Sequence, residues 1–146
     1  MPSIWFGSFT TEDASRLETD TFARHIGIEF TEVGPDFLAG RMRLESHLKQ
    51  PFGVLHGGVS AAFAETLGSV AANFAVDRTQ FQCVGQSITA HHIRPVPVDG
   101  SYVTGVARAV QIESHRHVWE IDLRRADGKR FCVSMLSMAV VPRGRY

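Results

Sequence analysis

The chain has 146 residues, 44% of them apolar and 21% charged, with fifteen basic residues balanced by fifteen acidic ones. A chain of this length and composition suits one globular domain spanning residues 1–146, large enough to bury a core without disulfides or a structural metal. Zero formal charge removes the electrostatic ground for nucleic acid or an anionic membrane as the main partner.

The N-terminus, Met1-Pro2-Ser3-Ile4-Trp5-Phe6-Gly7, lacks the basic and long apolar regions of a signal peptide. Thr10 or Thr11 followed by Glu12-Asp13 predicts a helix N-cap, with helical structure over 11–25 broken near Asp20. From Ile28 the pattern turns strand-like, and Gly34-Pro35-Asp36 separates two alternating runs, which predicts a hairpin. Residues 46–55, with Pro51 and Gly53, read as an irregular loop. Residues 57–76 are Ala-rich, contain no proline and are apolar on nearly every side, as in a buried helix. That run is interrupted by Glu65, so it makes a poor membrane span, and a cytoplasmic location is expected.

Four strands follow, over 81–94, 101–112, 115–126 and 130–141, with Asp127-Gly128 as a strong hairpin signal. Two strands, a long apolar helix and four more strands predict an α+β fold, an antiparallel sheet wrapped around one helix. Cys83 and Cys132 lie in apolar strand-like stretches without a CxxC pattern and read as free buried thiols.

Glu65 is the only charged residue between Gly57 and Val76. A carboxylate on an apolar helix is costly unless it is paired or used. His56-Gly57-Gly58 stands where the loop meets the helix, and the first N–H groups of a helix are unpartnered and partly positive. Such groups can hold the oxygen of a polarised carbonyl. Gly57 and Glu65 are eight residues apart, about 12 Å along a helix axis, so one helix cannot present both to the same carbonyl. If both act, two antiparallel helices from two subunits bring them together, creating two identical sites. Ser69 lies one turn beyond Glu65 and can orient the carboxylate or a water, or bond back to its own backbone. Gln50, before Pro51, can donate to a carbonyl or position water.

The histidines form no HExxH or zinc-spaced set, so no metal is expected. Arg94, Arg116 and His117 form a candidate phosphate patch at strand ends, or simply solvated edge charges.

The run Gln50-Pro51-Phe52-Gly53-Val54-Leu55-His56-Gly57-Gly58, with Ala64-Glu65 and Gly68-Ser69-Val70-Ala71, resembles the hotdog-fold acyl-CoA thioesterases. The similar branch is the glutamate-type hydroxybenzoyl-CoA branch, which includes proofreading and dihydroxynaphthoyl-CoA thioesterases. The likeness continues through Ala90-His91-His92-Ile93-Arg94 and Ser114-His115-Arg116-His117-Val118-Trp119. The resemblance implies a hotdog fold and hydrolysis of acyl-CoA or acyl-carrier thioesters, with an aryl or medium-chain acyl group and no cofactor. It implies Glu65 as nucleophile or general base, Gly57 N–H as oxyanion donor, and His56, Gln50 and Ser69 as residues that polarise or position. It places His92, Arg94, Ser114, Arg116 and His117 on the substrate and CoA side, and implies a homodimer at least, usually paired into a homotetramer. The rival readings are a hotdog enoyl-thioester hydratase or dehydratase using His56 with Glu65, and a non-catalytic acyl-CoA binding module.

Overall fold

The computed structural model describes residues 2–146. Thr10 and Asp13 form a reciprocal capping box, each side chain accepting the other's backbone N–H, and open helix α1 (Thr11–Leu17). The expected break is at Asp20, whose φ of 58° is left-handed. Thr21 then caps a second short helix, α2 (Phe22–His25).

Strands β1 (Ile28–Val33) and β2 (Phe37–Arg43) pair across the Gly34-Pro35-Asp36 turn. The loop before the long helix contains a 3-10 turn, Ser46–Leu48. Helix α3 (Gly57–Phe74) is followed by β3 (Phe81–His92), β4 (Tyr102–Ile112), β5 (Arg116–Arg124) and β6 (Arg130–Pro142). The six strands form one sheet of order β1-β2-β4-β5-β6-β3, antiparallel throughout. This is the α+β hotdog arrangement, a curved sheet around one helix.

Alternation along β5 turns His117, Trp119, Ile121 and Leu123 towards α3, and Phe63, Ala64, Leu67 and Ala71 of the helix pack against that face. Close approach requires glycine at several points; on β4, a Cβ on Gly105 would stand 2.5 Å from Leu67 and 2.7 Å from Leu123. The N-terminal segment covers the far end of the core, with Trp5 stacked on Trp119 and Phe9 on Phe74.

One expectation needs correction. Helix α3 is not buried all round within one chain: Ala61, Ala62, Glu65, Thr66, Ser69 and Asn73 stay half-exposed. The single sheet covers only the opposite face. The apolar composition of the remaining stripe had suggested full burial because alanines and one carboxylate fall on it together.

Strand β3 is the sheet's long edge, and it carries a β-bulge. Gly85 pairs with Met138 and Ser87 with Ser137, so Gln86 is the extra residue. At its start the edge is sealed by a side chain. Asn73 of α3 donates to Cys83 O (3.0 Å) and to Ser69 O (2.9 Å), and accepts the Cys83 N–H (2.9 Å). Beyond Cys83 the outer backbone groups of β3 meet no neighbouring strand among the described residues.

Candidate active site

The loop and the N-terminus of α3 build one half of the site. His56 is the helix N-cap, its Nδ1 accepting the Gly58 N–H at 2.9 Å. A neutral ring that accepts at Nδ1 carries its proton on Nε2, leaving that N–H free to donate into solvent or to a ligand. The Gly57 N–H has no acceptor among the described residues. It lies beside His92 at the end of β3, whose Nε2 would be 3.1 Å from a Cβ on Gly57. Gln50, Gly57, His92 and Arg94 line one cavity of about 300 Å³, closed by Leu55, Val96 and Phe131 among others. The Gln50 amide oxygen accepts the Phe52 N–H, which leaves the amide NH₂ available to the cavity. Arg94 reaches across to the Arg130 carbonyl at 2.6 Å.

Glu65 is elsewhere. Its half-buried carboxylate lies over Gly85 on β3 and makes no hydrogen bond or ion pair among the described residues. Ser69 follows one turn later but does not bond to it; Ser69 instead lines a separate cavity of about 240 Å³ with Leu17, Val70, Asn73, Arg78 and Arg143. His56 and Glu65 are nine residues apart on one helix, roughly 13 Å along its axis, so no acid–base pair joins them within a chain.

Of the two readings of Arg94, Arg116 and His117, the phosphate patch does not form in one chain. The Arg94 N–H reaches Phe131 at one end of β6, while Arg116 pairs with Ala139 towards the other. Eight strand residues separate those points, roughly 27 Å. His117 is 1% exposed, on the helix-facing side of β5 against Trp119. Burial pushes its pKa below the ordinary histidine value, and its Nδ1 has no hydrogen-bond partner among the described residues. Ser114 and Arg116 are exposed at the turn into β5.

Two residues of this region escaped the sequence reading. They are Asn73 and Gly85, neither of which belongs to a sequence motif. A lone glycine inside a strand pattern is, however, a signal for a bulge or for close approach. No group of three or more His, Cys, Asp or Glu residues stands close enough to hold a metal ion among the described residues. Among the same residues, no helix is long and apolar enough to cross a membrane.

A family model described as the thioesterase superfamily matches residues 52–132. The chain is 39% identical over 138 residues to the proofreading thioesterase EntH of Cronobacter turicensis, covering 94% of this chain and 98% of that one. Thioesterase PA1618 of Pseudomonas aeruginosa, solved as a glutamine-to-alanine variant, superposes with a TM-score of 0.91 at 38% identity, covering 96% of this chain and 99% of its own. Thioesterase HI1161 of Haemophilus influenzae gives 0.90 at 36% identity, with 98% of each chain covered.

Proposed function

The chain belongs to the thioesterase superfamily and is an enzyme of that class, and from that premise we propose that it hydrolyses acyl-CoA thioesters with an aryl or medium-chain acyl group, at sites shared between two copies of the chain. The observation that carries this reading is the division of the candidate groups. The unpartnered Gly57 N–H, Gln50 and His92 share one cavity, while Glu65 lies two helical turns away over Gly85. Each half lacks what the other has.

Two copies paired through the open edge of β3 complete the set. His92 stands beside Gly57, and Gly85 beside Glu65. With Gln86 as the extra residue in each strand, an antiparallel pairing that sets residue 92 opposite residue 85 of the partner has its two-fold axis at Thr89. The Asn73 seal at Cys83 supports that register, because it leaves only the later part of the edge free to pair. The same approach covers the half-exposed stripe of α3.

In such a site the Gly57 N–H donates to the thioester carbonyl oxygen, where negative charge develops. Glu65 from the other copy attacks the carbonyl carbon, or takes a proton from the attacking water. On the water route the C–S bond then breaks and the thiolate collects the proton from Glu65 as free CoA; on the direct route C–S cleavage leaves an acyl–Glu65 anhydride, which water hydrolyses to free acid and Glu65, its released proton going to the thiolate. Gln50 and His56 donate from their free N–H groups to the carbonyl or the water, and Ser69 positions water beside the carboxylate. His92 and Arg94 flank the entering thioester. Arg116, with Ser114, meets the CoA phosphates only from another copy, in keeping with a dimer that pairs again into a homotetramer. Buried His117 is left out of this assignment.

The test is free-thiol release from aryl-, aliphatic- and hydroxyacyl-CoA esters by the wild-type protein and Glu65→Ala. Turnover on at least one ester, lost by about 10³-fold or more in the variant, is expected for a group acting on the reacting atoms. Undiminished turnover in Glu65→Ala would overturn the assignment. Tight binding of the esters without thiol release would favour a binding module.

A further inference from the structure

We propose that Gly85, at the bulge of β3, is a positioning residue for the Glu65 carboxylate, seating it by the absence of a side chain; this rests on the catalytic reading of Glu65 given above. Three observations meet there. A Cβ on Gly85 would overlap Glu65 Oε1 and stand 3.5 Å from its Cδ. No other group of the described residues holds the carboxylate by a hydrogen bond or an ion pair. The distance between helix and strand at this point is fixed by Asn73, which ties Ser69 O to both backbone groups of Cys83.

The bulge gives the glycine its place. Along a regular strand, residues 85 and 92 are an odd number apart and face opposite sides. With Gln86 inserted, Cys83 and Gly85 before it and Ile88, Ala90 and His92 after it all turn towards α3. One extra residue thus lets a single strand touch both Glu65 and Gly57. The carboxylate rests against bare backbone on one side, and the open edge where the partner would bring its Gly57 begins on the other.

The experiment measures kcat and KM for Gly85→Ala, Glu65→Asp and the double variant, together with their melting temperatures and oligomeric state. The clash in Gly85→Ala is with the far end of a flexible side chain, so stability and assembly are expected to stay close to wild type. The carboxylate has to move, and kcat is expected to fall on the order of 10²-fold, as for a displacement of about 1 Å, with KM within about twofold. Aspartate, one methylene shorter, makes room for the new Cβ. Glu65→Asp is therefore expected to cost far less in the Gly85→Ala background than alone. Wild-type kcat in Gly85→Ala, or losses that multiply independently in the double variant, would overturn the proposal. Retained turnover in Glu65→Ala would instead overturn the functional reading beneath it.

Discussion

His117 illustrates how residue type and location can point in different directions. Read beside Arg116 in the sequence, it suggested a basic patch. The period-two geometry of β5 instead sends it inward with Trp119, where it is 1% exposed and its ring faces an indole 6.2 Å away. Burial disfavours the charged imidazolium and holds the pKa below its ordinary value. The unfolded chain then binds a proton at a pH where the folded one does not, so stability is full above about pH 6.5 and declines as pH falls below it. Carboxylates held low by hydrogen bonds, such as Asp77 and Asp99, act in a separate window below about pH 4. Melting temperature measured from pH 7.5 to 5 is expected to drop for the wild type and to flatten for His117→Phe. An equal slope in both would assign the pH dependence to other groups.

At the scale of elements, most of the fold was legible. The Ala-rich run starts at Gly57 as expected and ends at Phe74, two residues short of 76. All four late strands fall within two residues of their expected bounds: 81–92, 102–112, 116–124 and 130–142. The bulge at Gln86 was legible only as the lone glycine beside it, which does not say whether pairing shifts there or another group approaches closely. The seal made by Asn73 was invisible for a similar reason, since it joins residues ten apart through tertiary contact alone. The candidate site was legible as residue types and only partly as geometry. Gln50, Gly57, His92 and Arg94 do meet, whereas Arg94 and Arg116 do not, and their separation depends on strand registry. The entry to α3 has its own test. His56 caps the helix through Nδ1, and His56→Ala removes that acceptor from the Gly58 N–H. Loss of an N-cap side chain costs about 1 kcal/mol. A drop of that size in unfolding free energy by denaturant titration is expected. A larger fall in turnover than stability explains would place the free Nε2–H at the substrate.

At the scale of the whole molecule, the chain is unfinished along one line. A sheet edge with unpaired N–H and C=O groups invites another strand, and natural proteins usually cover, twist or charge such edges. Here Asn73 protects the first part of β3, and a helical stripe containing Glu65 lies half-exposed beside the rest. Backbone groups along a strand alternate between its two neighbours. The Ile93 N–H turns inward to Phe131 O, whereas both Cys83 groups turn outward to Asn73. On the far side of the bulge this alternation turns the N–H of Ala90 outward as well, away from β6. Proline is tolerated on an edge strand where its missing N–H would face solvent, so Ala90→Pro leaves the ladder to β6 intact. The same substitution removes a donor that a paired copy would use. Ala90→Pro is expected to keep its circular dichroism and cooperative melting, to sediment as a smaller species than wild type, and to lose thiol release. Those losses go together only if the reacting groups come from two chains. A folded, monomeric and fully active Ala90→Pro would mean that Gly57 and Glu65 do not work on the same carbonyl. The carboxylate over Gly85 would then need a different oxyanion donor from within its own chain.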